Sequence, residues 1–159
     1  MQIATSASVD PAAFEGIAEA GLEFLAHVEV ALAPAHVLLD APFGGRLIVD
    51  VTGARVEGPR LKASLLGSAA ADWVTVAGDG RTGALDVRAT LRTDDGARIF
   101  CEYRGRVRFG ADDLHQVFTS PRFETGDSRY AWLNGLQCIG KGLSNAREHW
   151  LRYRLYAVV

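Results

Sequence analysis

The chain has 159 residues, 48% of them hydrophobic and 23% charged, which is enough for one globular domain with a substantial core. Its formal charge is −2, whereas proteins that bind nucleic acid usually carry a basic excess. No apolar run approaches the roughly 20 residues that span a bilayer. We therefore expect a soluble protein with neither nucleic-acid nor membrane partners.

Residues 1–21 are predicted to form an extension with one short helix ahead of the main domain. Asp10 and Pro11 are typical of a helix start, and Gly21 follows the apolar stretch that ends at Ala20. The first ten residues have neither the basic nor the apolar region of a secretory signal. We therefore expect a cytoplasmic protein.

The thiols and imidazoles of the chain do not predict a metal site. Cys101 and Cys138 lie far apart in the sequence, and we expect both to be reduced thiols. The four histidines also lack the spacing of metal ligands. No glycine-rich phosphate loop is found either, so we expect no cofactor.

Residues 22–159 are predicted to form a single all-β domain. Hydrophobic and polar residues alternate with the period of half-buried strands. The predicted strands are Leu22 to Val30, Arg46 to Thr52, Leu61 to Leu66, Trp73 to Ala77, Leu85 to Leu91, Ile99 to Phe109, Tyr130 to Ile139 and Trp150 to Val158. Turns such as Asp79-Gly80 and Asp94-Asp95-Gly96 separate them about every ten residues. This pattern predicts at least eight antiparallel strands that close into one β-barrel.

One segment, from Gly110 to Arg129, lacks clear alternation. Only Leu114 to Thr119 suggests a short strand within it. Connections of this length in compact domains are often functional loops. Because the segment contains apolar residues that need a surface to pack on, we predict that it covers one mouth of the barrel.

Several motifs from Leu22 to Val158 resemble a known family. They are Gly44-Gly45-Arg46, Gly58-Pro59, Asp72-Trp73, Asp86-Val87-Arg88-Ala89-Thr90, Asp94-Asp95-Gly96, Tyr103 with Gly105, Phe123-Glu124-Thr125-Gly126-Asp127 and Tyr130-Ala131-Trp132-Leu133-Asn134. On these residues the chain resembles the family of domain of unknown function 3237. The resemblance implies a calycin-like β-barrel and a candidate site, but no particular reaction.

Three residues are candidates for catalysis. Asp72 and Glu124 stand beside aromatic residues, and a carboxyl group desolvated there could act as general acid or base near neutral pH. The alternative is that both carboxylates are satisfied by backbone donors in turns or loops. Arg88 either lines the lumen, where it could hold an oxyanion, or forms a surface ion pair with Asp86.

Aromatic and polar side chains near these residues are candidates for substrate binding. They are Trp73, Asp86, Tyr103, Tyr130, Trp132 and Asn134. Aromatic walls with a few fixed polar groups are typical of small-molecule pockets, although aromatic residues dominate ordinary cores as well. Both interpretations stay open at this point.

The function that these residues favour is acid–base catalysis on a small molecule. We expect a cofactor-independent isomerase, cyclase or lyase that uses carboxylates on a small aromatic or polyketide-like substrate. The alternatives are a non-catalytic carrier of a small hydrophobic ligand and a structural oligomerisation module, because a barrel fold alone does not define a function. A homodimer or higher homo-oligomer is compatible with each of these three functions.

Overall fold

The computed structural model describes residues 8–159. The amino-terminal helix is a single 3₁₀ turn, Pro11–Phe14, in which the Asp10 side chain accepts a hydrogen bond from Ala12 N at 3.0 Å. The predicted continuation to Ala20 is wrong, because this whole segment is exposed and a short helix without packing is marginal. No helix of the described residues is long and apolar enough to cross a membrane.

Ten strands follow this extension. They are β1 (Leu22–Leu32), β2 (His36–Leu38), β3 (Gly45–Glu57), β4 (Lys62–Leu65), β5 (Ala71–Val76), β6 (Thr82–Thr93), β7 (Arg98–Arg108), β8 (Leu114–Glu124), β9 (Cys138–Asn145) and β10 (Trp150–Val158). A second 3₁₀ helix, Ser128–Gly135, connects β8 to β9.

The strands close into one antiparallel barrel. From β6 to β10 each strand pairs with the next along the chain, and β10 pairs with β1. β4 and β5 together occupy one strand position between β3 and β6, as two halves of an interrupted strand. Because β1 also pairs with β3, the ring of strands is complete. The barrel thus has eight strand positions, with β2 as a short addition beside β3, and the predicted fold is confirmed.

Alternation along the strands places the core inside the barrel. On β7 the buried residues Ile99, Cys101, Tyr103 and Val107 face inward, as predicted. β1 departs from its predicted pattern because its register shifts between Phe24 and Ala26. Leu25 and Ala26 are consequently both buried, whereas Leu22 and Phe24 are exposed.

Two predicted elements between β7 and β9 are wrong. The segment from Gly110 to Arg129 is not a lid, because eleven of its residues form β8, which pairs with both β7 and β9. The predicted strand from Tyr130 to Ile139 is instead the 3₁₀ helix, followed by β9 from Cys138 onward. Asp127 begins that helix by accepting a hydrogen bond from the Arg129 backbone at 3.0 Å.

The glycines of β9 make room for a tyrosine in the lumen. A Cβ atom on Gly140 would overlap Thr119 Oγ1 and lie 2.8 Å from Cδ2 of Tyr153. One on Gly142 would lie 2.5 Å from Cβ of Tyr153. The buried ring of Tyr153 therefore occupies the space that a side chain at Gly140 would otherwise fill.

Candidate functional site

The lumen contains a cavity of about 140 Å³ that opens at one end of the barrel. Apolar side chains form most of its wall, among them Val49, Val74, Leu85, Val107, Val117 and Leu151. The connections after β1, β7 and β9 surround the opening. An engineered apolar cavity of roughly 150 Å³ binds benzene, so this cavity can hold a molecule of one ring.

Asp72 supplies the carboxyl group of the cavity. It lies on β5 in the same inward row as Val74, while Trp73 between them is exposed on the outer surface. The Asp86 backbone N–H donates a hydrogen bond to Asp72 Oδ1 at 3.1 Å. Burial raises the pKa of Asp72 from 3.8 to about 6, against the opposing effect of that hydrogen bond. Asp72 is therefore poised to exchange a proton near neutral pH.

Two tyrosines lie deeper in the lumen. Tyr103 lines both this cavity and a second, smaller one of about 40 Å³, and Tyr153 lines the smaller cavity. Burial raises the pKa of each phenol above its ordinary value, and for Tyr103 the nearby charge of Asp72 adds to the effect. Both side chains therefore stay protonated and act as neutral hydrogen-bonding groups.

Two histidines lie at the mouth. His115 faces inward from β8, and its Nδ1 accepts a hydrogen bond from the Gly110 backbone at 3.2 Å. His149, in the turn between β9 and β10, has a left-handed backbone with φ of 58°. Neither histidine was predicted from the sequence, because the histidines were considered only as metal ligands. The inward row of β8, shared with Val117 and Phe123, is the signal that would have indicated His115.

Four of the predicted site residues lie on the outer surface. Glu124 is exposed next to the buried Phe123. Arg88 is also exposed, and the open question about its direction is decided in favour of solvent. Asp86 forms a 3.5 Å ion pair with Arg104 on the same outer face, and Trp73 is 43% exposed.

The other three aromatic and amide candidates lie at the end of the barrel opposite the cavity mouth. Tyr130 donates a hydrogen bond to Asp95 Oδ1 at 3.0 Å, and the Trp132 ring stacks on the Arg60 guanidinium at 3.9 Å. Asn134 exchanges hydrogen bonds of 2.9 and 3.0 Å with the Thr125 backbone. These contacts hold the second 3₁₀ helix against the barrel. Of the nine predicted site residues, the structure thus brings only Asp72 and Tyr103 together in the lumen.

Comparisons with known proteins agree with the fold. The family described as protein of unknown function DUF3237 matches residues 20–158. A protein of Rhodopseudomonas palustris strain TIE-1, named UPF0311 protein, is 30% identical over 117 residues, which are 65% of this chain and 74% of the relative.

Solved structures extend the similarity to almost the whole chain. A β-barrel-like protein of Acinetobacter baumannii AYE has 28% identity and a TM-score of 0.80, over 91% of this chain and 99% of its own. A structure described as an enzyme from Penicillium herquei has 23% identity and a TM-score of 0.65, over 88% of this chain and 95% of its own. At that identity the second similarity shows the fold alone.

Proposed function

This chain belongs to the family of proteins of unknown function DUF3237, and we propose that its barrel binds a single-ring organic molecule in the lumen and transfers protons on it through Asp72. The reaction class is a cofactor-independent isomerisation, cyclisation or elimination. One observation carries the proposal: the only carboxylate on the wall of this mostly apolar cavity, among the described residues, is half-buried and has a pKa of about 6.

The chemistry follows from that placement. A general acid or base works best when its pKa lies near the operating pH, because both of its protonation states are then available. Burial brings the pKa of Asp72 into that range. Tyr103, which lines the same cavity and keeps its proton, can donate a hydrogen bond to an oxygen of the bound molecule.

The shape of the cavity limits the substrate class. Its volume of about 140 Å³ suits one ring, and its open mouth leaves space for substituents that extend outward. A small aromatic or partly reduced ring with one or two oxygens fits the apolar wall and the few polar groups. Glu124 and Arg88 have no part in this proposal, since both side chains lie outside the lumen.

Binding can be tested with three single-ring probes: phenol, benzoate and cyclohexanone. Amide resonances of the labelled protein should shift at Val74, Leu85 and Val107, which line the cavity, and stay unchanged at Glu124. If no probe shifts the resonances of the lumen, the proposed binding site is wrong.

Proton transfer can be tested by exchange of the α-hydrogens of cyclohexanone for deuterium. Asp72→Asn should leave probe affinity within a few fold and lower the exchange rate by ~10²–10⁴, the usual contribution of a positioned acid or base. Asp50→Asn, which removes an exposed carboxylate from β3, is the matched control and should exchange like the parent. Binding without any exchange by the parent would instead indicate a carrier.

A further inference from the structure

The His115 side chain is held in one orientation at the wall of the lumen. It is the second residue of β8 and is half-buried in the inward row with Val117. Its Nδ1 accepts the Gly110 N–H at 3.2 Å, and its ring meets that of Phe109 edge to face, with centroids 5.2 Å apart. Two contacts to the turn between β7 and β8 therefore fix the ring.

The hydrogen bond at Nδ1 also determines which ring nitrogen carries the proton. A nitrogen that accepts an N–H has no proton of its own, so neutral His115 carries its proton on Nε2. Nε2–H lies on the distal edge of the ring. It is the donor that this side chain can offer to a molecule in the cavity.

Asp72 and His115 reach the same cavity from nearly opposite sides. Their strands, β5 and β8, stand three positions apart among the eight of the barrel, and both side chains line the cavity. Leu85 and Val107, on the two strands between them, form the apolar wall that joins the two groups. A ring in this cavity would have a carboxylate on one side and an N–H donor on the other.

We propose that His115 is a second catalytic residue, which donates from Nε2 to the carbonyl oxygen of a single-ring enolisable ketone while Asp72 takes the proton of the adjacent carbon. This inference rests on the proposed function and names the substrate class of the same site. Donors aimed at an oxygen on which charge develops are a major source of catalysis in water-poor sites.

The step balances without another reactant. The Asp72 carboxylate removes the α-proton, and the electron pair of the broken C–H bond forms the C=C bond of the enolate. The carbonyl oxygen takes the negative charge next to His115 Nε2–H. When the Asp72 carboxyl returns a proton to carbon, the result is exchange with solvent or, in an unsaturated ring, a shifted double bond.

The test uses cyclohexanone labelled with ¹³C at the carbonyl carbon. In the parent, the carbonyl resonance of the bound probe should move downfield, as expected for an oxygen that accepts a hydrogen bond. His115→Phe keeps a ring but loses the donor, so the bound resonance should move back upfield and α-hydrogen exchange should slow by ~10²–10³. His115→Gln places an amide N–H near the position of Nε2 and should retain part of both effects.

Controls separate this inference from the proposed function. His27→Phe makes the same change on the outer surface, where His27 is exposed beside Phe24, and should alter neither readout. Asp72→Asn should slow exchange by ~10²–10⁴ while the downfield carbonyl resonance remains.

Each further outcome decides one of the two proposals. If His115→Phe keeps the parental resonance and rate, His115 has no such role, although the proposal for Asp72 still stands. If this variant does not fold, His115→Leu removes the donor instead and decides the question by the same readouts. Failure of cyclohexanone to bind while phenol binds would overturn the ketone assignment alone, and failure of all three probes would overturn the proposed function as well.

Discussion

Replacement of Asp72 by asparagine should stabilise the folded protein at neutral pH. In the folded state burial raises the pKa of this carboxyl from 3.8 to about 6, so the folded protein holds a proton that the unfolded chain releases. Stability is therefore lost as the pH rises from 3.8 to 6, and the whole penalty is present above pH 6. It corresponds to roughly 3 kcal/mol at most, and to about 2 kcal/mol once contact with water in the open cavity is allowed for.

Asparagine has no charge at any pH, and its Oδ1 can still accept the Asp86 N–H. Denaturant unfolding of the parent and of Asp72→Asn should therefore give equal free energies of unfolding near pH 4, and a variant about 2–3 kcal/mol more stable at pH 8. In a thermal melt at pH 8 this corresponds to a Tm higher by about 4–10 °C. Asp50→Asn should change stability by less than about 0.5 kcal/mol at both pH values. A difference that does not depend on pH would show that Asp72 is not desolvated.

Three more substitutions test other parts of the structure. Gly140→Ala should lower the free energy of unfolding by about 2 kcal/mol or more in denaturant, because the added Cβ would overlap Thr119 Oγ1. Gly126→Ala is the control and should be nearly neutral, because the added Cβ would lie in open space. Asn134→Ala removes both hydrogen bonds to the Thr125 backbone and should cost about 1–3 kcal/mol, with faster hydrogen exchange in the second 3₁₀ helix. Glu124→Gln should leave stability, probe binding and α-hydrogen exchange unchanged, since this side chain is exposed outside the lumen. A loss of exchange in this variant would contradict the assignment of the site to the lumen.

The fold could be predicted where one face of a strand is apolar and the other is polar. On β6 and β7 the buried rows alternate with charged outer residues such as Arg88 and Arg104, and the turn at Gly96 supplies the positive φ of 97° that a tight hairpin needs. These strands can be predicted from their local pattern alone, without knowledge of contacts to residues distant in the sequence. Their alternation also places Arg88 outside, although the sequence analysis left that point open.

β8 could not be predicted as a full strand because it contains a proline. Proline cannot donate to a strand ladder and argues against a central strand. In the structure the pairing of β8 with β9 ends at Thr119, so Pro121 lies beyond it and is buried opposite Tyr103 of β7. Only the register of three strands explains how that position is tolerated.

The candidate site was predicted only in part. Tyr103 stands in the predicted inward row of its strand, whereas Asp72 was selected, like Glu124, because it stands beside an aromatic residue. Glu124 points outward because neighbours along a strand point to opposite faces, and the adjacent Phe123 is buried. Trp132 was selected from a row with Tyr130 and Asn134 on a predicted strand, but these residues lie in the second 3₁₀ helix. His115 was missed, since the histidines were considered only as metal ligands.

The division of the lumen by Tyr103 and Tyr153 has a consequence for how such a barrel could acquire new substrates. Tyr103 lines both the cavity of about 140 Å³ and the smaller one of about 40 Å³, together with the aliphatic side chains of Val30 and Val51. Neither tyrosine side chain takes part in the backbone hydrogen bonds between strands that close the barrel. A smaller residue at Tyr103, which lines both spaces, would join them and lengthen the chamber, with every strand pairing intact. Ligand size can therefore change by single substitutions, independently of the architecture that carries Asp72.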